Sequence, residues 1–372
     1  MTQIKLRNVS KKFHSILAVD NVTLQVDHGE YVVFLGPTGS GKSTVLKMIA
    51  GLVIPDSGSI YFDNEDVTEF PPEDRNVGFV FEQFALFPHL TLLRNATYGP
   101  WVRGYTLPEA AELAKEAIDM VLLTGREDAF PNELSGGMKQ RLAIARTMVA
   151  GSRVLCLDEP LGALDAKIGL QLRYDLRQLI KDLELTALHA THNFEEAMLI
   201  ADRIAIFQNG KIVQEGEPRK VYDHPNSIFV ANFLGEANNL ECRVQAVDSE
   251  FMKLEFQDTV FTIRTNIKQT KPSQYNIGDK VILVVKTEAL RTRKGVRSGT
   301  NALVGTLEAS QILGRFIKYR TDVGGIKIIS KALPKRRQLL EEGTQVTLLF
   351  SPRKGHIFPF PENGIKGELY KN

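Results

Sequence analysis

Only two cysteines and a single tryptophan occur among 372 residues. Cys156 and Cys242 lie far apart and lack metal-ligand spacing, so neither a disulfide framework nor a cysteine-held metal is expected. Cys156 falls inside an apolar strand pattern and reads as a small core residue. No apolar run is long enough to span a bilayer, so any membrane role has to run through a partner. Met1-Thr2-Gln3-Ile4-Lys5 has no signal-peptide pattern, and a cytosolic setting is the expectation. Charges nearly cancel at a net +2, which removes any bulk electrostatic argument for nucleic acid. Low-complexity segments and internal repeats are missing too. The length still exceeds one ordinary core, and two domains are expected.

What is present centres on Gly36-Pro37-Thr38-Gly39-Ser40-Gly41-Lys42-Ser43-Thr44. The apolar run Tyr31–Leu35 precedes it and a helical pattern, Val45–Ala50, follows. Strand, glycine-rich turn, helix is the context that a phosphate-binding loop requires. Glycines let successive N–H groups converge on one anion, and the helix adds its positive N-terminal end. Lys42 can reach the β- and γ-phosphates, and the Ser43 hydroxyl can ligate Mg²⁺. The chain binds a nucleoside triphosphate.

Further along, Leu134-Ser135-Gly136-Gly137 opens a helix that runs to Ala150. It is a second anion-receptive element, of use only when it faces another subunit's nucleotide. Arg153–Pro160 reads as a buried strand ending in Asp158 and Glu159. Asp158 suits Mg²⁺ and Glu159 suits polarising a water. Ala187–His192 is the next strand, with His192 at its end as a γ-phosphate contact. Phe13 reads equally as a stray surface aromatic or as a stack for an adenine base. Asn209-Gly210 joins two short strands in a favoured hairpin turn. Thr106 with Pro108-Glu109 marks a helix start. The stretch from Phe84 to Leu123 is rich in apolar residues, and fits either a helical-subdomain core or a docking face.

Strands alternate with helices to about residue 220, which implies a largely parallel sheet covered by helices. Beyond it come short alternating segments, the pattern of a small all-β barrel or sandwich. Arg291, Arg293, Lys294 and Arg297 read there as a solvated loop.

With those residues in hand, the chain resembles the ATPase subunit of an ATP-binding-cassette importer. Ala85–Thr91 and the β-rich extension are similar to the branch serving sugars, polyamines, ferric iron, sulfate or molybdate. The expected fold is an α/β phosphate-loop NTPase cassette with a helical subdomain over 1–235, then a small all-β domain over 236–372. The resemblance implies a head-to-tail homodimer with two ATPs in its interface. Lys42, Ser43, Asp158, Glu159 and His192 of one subunit would hold a nucleotide that Ser135, Gly136 and Gly137 of the other would cap. Phe13 matches the family's adenine-stacking aromatic, and Asp165 lies in a matching Leu161–Asp165 segment. Glu82 stands where glutamine is usual, Asn193 where aspartate usually follows the histidine, and His14 where glycine is frequent. Intact spacing on both sides places Glu82, not Gln83, at the metal, since a one-residue slip reverses an extended chain's faces.

The resemblance also implies two integral membrane permease subunits, an extracytoplasmic solute-binding protein acting indirectly, and a peripheral position on the cytoplasmic face of the inner membrane. No nucleic-acid partner is expected. Two other classes compete: a soluble cassette ATPase, and a ligand-sensing regulator without transport. The first usually carries a long coiled-coil insertion or two cassettes, neither of which is present, and intact Lys42, Glu159 and His192 argue against the second.

Overall fold

The computed structural model describes residues 2–160, 166–265, 274–314, 316–333 and 339–369. It divides into two compact units, Met1–Val221 and Tyr222–Asn372.

In the first unit, β1 (Ile4–Phe13) and β2 (Ile16–Val26) form a hairpin, and β3 (Tyr31–Leu35) leads into the phosphate loop. The two hairpin strands run further than the alternating segments Ile4–Ser10 and Val22–Val26. Register shifts at Val9 and Lys11 carry the pairing on to Phe13 opposite Ile16, around His14 at φ +52°. Next come α1 (Lys42–Ile49), β4 (Ser57–Phe62), β5 (Glu65–Asp66), α2 (Pro72–Arg75) and β6 (Val77–Val80). The helical segment follows as α3 (Leu92–Val102), α4 (Leu107–Met120) and α5 (Gly136–Val149). Thr106 and Glu109 close a capping box at the start of α4, as their spacing predicts. The unit continues through β7 (Val154–Asp158), α6 (Ala166–Asp182), β8 (Thr186–Thr191), α7 (Phe194–Ile200), β9 (Arg203–Gln208) and β10 (Lys211–Gly216).

Six strands make the central sheet in the order β10-β9-β3-β8-β7-β6, parallel except for β10. All five residues of β3 are buried, and so are all six of β8. Strands covered on both faces do not alternate, so β3 reads as a nearly continuous apolar run, whereas β8 buries the polar Thr186, His189 and Thr191 among its apolar residues. Four antiparallel strands in the order β2-β1-β4-β5 form a second layer. One core joins Leu6, Val26 and Ile60 of that layer to Phe34, Leu46, Cys156 and Phe207. A separate core ties α3, α4 and α5 together through Leu92, Ala96, Ala114, Ile118 and Leu142.

After α8 (Pro218–Asp223), the second unit opens with α9 (Ile228–Phe233), β11 (Ala237–Val247), β12 (Phe251–Phe256), β13 (Thr259–Arg264) and β14 (Lys280–Lys286). Ile228 and Ala231 of α9 pack on Ile282 and Val284 of β14, so this helix, which composition groups with the cassette, lies in the second core. It ends with β15 (Arg291–Lys294), β16 (Ala302–Leu313), β17 (Phe316–Val323), β18 (Ile326–Ala332), β19 (Gln345–Leu349), β20 (Gly355–Pro359) and α10 (Gly364–Leu369). Two five-stranded antiparallel sheets, β13-β12-β11-β14-β20 and β15-β19-β16-β17-β18, share one core that includes Phe261, Leu283, Leu303 and Leu348. Arg291, Arg293 and Lys294 are exposed but belong to edge strand β15 and not to a loop, because β19 supplies their backbone partners.

No helix among the described residues is long and apolar enough to cross a membrane.

Candidate functional site

Parallel strand order gathers the chemistry at one edge. The carboxyl ends of β3, β8, β7 and β6 carry, in turn, the phosphate loop, His192, the Asp158–Glu159 pair and Glu82. Ligands of open α/β sheets bind at this edge.

The loop from Gly36 to Gly41 can curl only because of its glycines. A Cβ on Gly36 would lie 2.4 Å from the Phe207 carbonyl, and one on Gly41, at φ +103°, 2.5 Å from the Ala18 carbonyl. Thr38 and Gly39 are exposed at the tip, Pro37 is half-buried, and Ser43 and Thr44 open α1 half-buried. Lys42 is 4% exposed, and its Nζ donates to the carbonyls of Gly36 and Pro37, both at 2.8 Å. Burial pulls its pKa below the ordinary lysine value, opposed by the carboxylates of Glu159 and Asp158. The ammonium therefore lies folded onto its own loop, next to the space where phosphates would displace it. Ser40 Oγ is buried at this loop without a protein partner, which fits a ligand oxygen there.

Two side-chain pairs complete the edge. Ser43 Oγ donates to Asp158 Oδ1 at 2.6 Å, joining residues 115 positions apart. His192 Nδ1 lies 3.0 Å from Glu159 Oε2 and 3.1 Å from Oε1. Glu159 sits at φ +47°, a backbone region few residues adopt, held by its own N–H on the Ala190 carbonyl at 3.0 Å. Its side chain is 20% exposed against 60% for His192, so the pair opens to solvent from the histidine side.

The other expected residues are spread more widely. Ser135 is exposed and caps α5 by accepting the Met138 N–H at 3.4 Å, with Gly136 and Gly137 in the first turn. Phe13 is 42% exposed at the end of β1, its ring 5.7 Å from Lys11 Nζ. Glu82 is exposed two residues beyond β6. Asp165 lies outside the described residues. Ser43 Oγ and Asp158 Oδ1, 2.6 Å apart, are hard oxygen donors of the kind Mg²⁺ takes. Mg²⁺ is typically held by one or two carboxylates and completes its shell with water and substrate phosphates.

Sequence reading missed two residues that shape the turn after β6. Asn95, fully buried in α3, accepts the Phe87 N–H and donates to the carbonyls of Phe87, Leu90 and Thr91. Arg146 of α5 donates to the Ala85 carbonyl at 2.8 Å and covers the Phe87 ring at 4.6 Å. No local motif announces either. They brace Phe84 and Ala85, at φ +61° and +48°, beside a groove lined by Phe79, Phe81, Phe84, Tyr98 and Arg103. Leu86 packs against the helical core, whereas Trp101 and Val102 at the end of α3 are 53% and 62% exposed, as are Leu107 and Leu122 further along.

Comparison with known proteins agrees with this geometry. Residues 19–162 match the ABC transporter family and residues 283–358 the TOBE domain. The Fe(3+) ions import ATP-binding protein FbpC of Brucella abortus is 36% identical over 94% of this chain and 96% of its own length. The spermidine/putrescine import ATP-binding protein PotA of Aliivibrio fischeri is 39% identical over 81% of this chain and 80% of its own. The sulfate/thiosulfate import ATP-binding protein CysA 2 of Agrobacterium fabrum reaches 47% over 64% of this chain and 70% of its own. A solved dimeric ATP-binding cassette, in a post-hydrolysis state with ADP and Pi, superposes with a TM-score of 0.52 at 35% identity, covering 58% of this chain and 99% of that one. A phosphate loop answered by Asp158, Glu159 and His192, followed by a TOBE domain, therefore places the chain in the ATP-binding-cassette transporter family, as an ATPase subunit of its importer branch.

Proposed function

We propose that two copies of this chain, arranged head to tail, hydrolyse Mg²⁺·ATP in shared sites and drive solute import through two integral membrane permease subunits. One observation carries the reading. Ser43–Asp158 and Glu159–His192 stand side by side at the sheet edge, the first pair suited to metal and phosphate and the second to water and γ-phosphate. Lys42 binds the β- and γ-phosphates, giving up its two carbonyl contacts for charged oxygens. Phe13 stacks on the base. Glu159 accepts a hydrogen bond from the attacking water and polarises it, and His192 turns from Glu159 toward the γ-phosphate. Ser43, Asp158 and Glu82 hold Mg²⁺, which when bound neutralises charge on the β- and γ-oxygens. Ser135, Gly136 and Gly137 of the partner subunit, with their free helix N–H groups, cap the same γ-phosphate.

The groove beside Phe81 and Phe84 is where a permease segment is proposed to seat. Phe81 and Phe84 flank Glu82 in the chain, so a change at the nucleotide can reach the groove as a rigid shift. The assembly would hold the chain on the cytoplasmic face of the inner membrane. Relatives named for a metal cation, polyamines and oxyanions resemble this chain to a similar degree. Solute choice is therefore assigned to the permease and an extracytoplasmic binding protein. Co-purification from native membranes is expected to recover two integral membrane subunits, whose presence raises ATPase activity. A chain that purifies alone, with activity unaffected by membrane partners, points to a soluble ATPase instead.

Glu82 yields a sharper test. A carboxylate binds Mg²⁺ more strongly than an amide but adds negative charge near the γ-phosphate. Glu82→Gln is expected to raise the Mg²⁺ concentration for half-maximal hydrolysis roughly fivefold, about 1 kcal/mol. Its ceiling rate should equal or exceed the unmodified chain's, and Gln83→Ala should change little. A Mg²⁺ titration giving the reverse pattern assigns the metal position to Gln83.

A further inference from the structure

A buried polar column underlies the strand end that carries His192. His189 of β8 and Tyr31 of β3 are both fully buried, with the Tyr31 hydroxyl 3.0 Å from His189 Nδ1. Burial lifts the Tyr31 phenol well above its ordinary range, so the hydroxyl keeps its proton and shares a hydrogen bond with Nδ1. The other ring nitrogen, Nε2, faces Glu196. Nε2 lies 3.0 Å from Glu196 Oε1, at ion-pair distance but off the line of a hydrogen bond. Glu196, in α7, is 3% exposed. Its Oε2 accepts from Thr191 Oγ1 at 3.3 Å and has Arg173 Nη2 at 4.0 Å.

From Thr191 the column reaches both halves of the nucleotide edge. Thr191 Oγ1 accepts the Asn193 N–H at 3.1 Å, and Asn193 Oδ1 accepts the Glu196 N–H at 3.2 Å. The first of these contacts brackets His192, and the second ties Asn193 to the first turn of α7. The Thr191 carbonyl accepts the Gly36 N–H at 3.3 Å, at the first residue of the phosphate loop.

Such a column is an expensive way to fill space. Burial pushes the Glu196 carboxyl up, and the contacts of His189, Arg173 and Thr191 more than offset it, leaving it ionised and below the usual range. Arg173 Nε, His189 Nε2 and Glu196 Oε1 still lack a directed hydrogen bond. A half-satisfied buried ionic cluster adds little stability over apolar packing of the same volume, so stability alone does not account for it.

We propose that Glu196 is a positioning residue, anchored by His189 and Arg173, which holds Thr191 so that His192 and the start of the phosphate loop keep one geometry through ATP hydrolysis. This rests on the reading of His192 as a γ-phosphate contact. Glu196 itself does not touch nucleotide. Its effect is on the placement of His192, where a displacement of about 1 Å is enough to slow chemistry.

The test uses the purified full-length chain, with kcat, KM for ATP, equilibrium ATP affinity and Tm measured for each variant. Thr191→Val keeps the shape and loses the hydroxyl, and is expected to lower kcat roughly tenfold while KM and ATP affinity stay within about twofold. Thr191→Ser returns the hydroxyl and should restore most of that loss. Glu196→Gln should lower kcat in the same direction. Combined with Thr191→Val it should add little, because the two act through one contact. His192→Ala is measured in parallel. If it loses activity while Thr191→Val and Glu196→Gln retain full kcat, the positioning role is overturned. If kcat, ATP affinity and Tm fall together in both variants and Thr191→Ser restores none of them, the column is purely structural and the proposal is equally overturned. If His192→Ala itself keeps full kcat, the reading of His192 fails and this inference fails with it.

Discussion

Replacing Glu159 by glutamine is expected to reduce steady-state phosphate release by a factor of about 10² to 10⁴ while leaving ATP binding intact. That range is what a positioned general base contributes to a proton transfer. Glutamine matches glutamate in size and meets the same φ of +47°, so the backbone bond from residue 159 to the Ala190 carbonyl survives. What disappears is the charge that faces His192 at 3.0 Å and would polarise a water. With turnover blocked and binding spared, ATP should accumulate in a stable dimer visible by size-exclusion chromatography. Normal phosphate release from this variant would remove Glu159 from the chemistry.

Lys42→Ala is expected to fail earlier, at binding. The ammonium is nearly fully buried and bound to two carbonyls of its own loop, so nucleotide offers it charged oxygens in place of neutral carbonyl acceptors. Losing that contact, at about 1.5–3 kcal/mol, weakens ATP binding roughly ten- to hundredfold. The substitution also leaves the Gly36 and Pro37 carbonyls without their donor, so part of the loss arises in the loop itself. Calorimetric titration with ATP separates the two variants: Glu159→Gln binds and does not turn over, whereas Lys42→Ala binds weakly. Unchanged affinity in Lys42→Ala would mean that the loop does not hold phosphate through this side chain.

Several elements were legible because their causes are local. Asn209-Gly210 turns between β9 and β10 with both residues at positive φ, a property of the dipeptide itself. Thr106 and Glu109 satisfy one another's backbone groups within a single turn. The phosphate loop is readable for the same reason, since glycine spacing, strand and helix all lie within about twenty residues. Where non-local pairing decides, local reading falls short. The β1–β2 hairpin runs past its alternating segments because each strand's partner extends it, and Arg291–Lys294 is a strand because β19 lies beside it.

The sequence by itself determined which residue types are available: a lysine and serine after a glycine turn, two acids at one strand end, a histidine at another. Only the tertiary structure decided which of them meet. Ser43 reaches Asp158 across 115 residues, and Glu159 reaches His192 across 33, because β3, β8 and β7 are neighbours in a parallel sheet whose order is not the chain's order. The same cause hides the column under His192. Tyr31, His189 and Glu196 look like an ordinary strand start, a strand interior and a helix turn, until β3, β8 and α7 are packed together. Side-chain partnership across a sheet follows strand order and pleat, and neither is encoded in the spacing of residues along the chain.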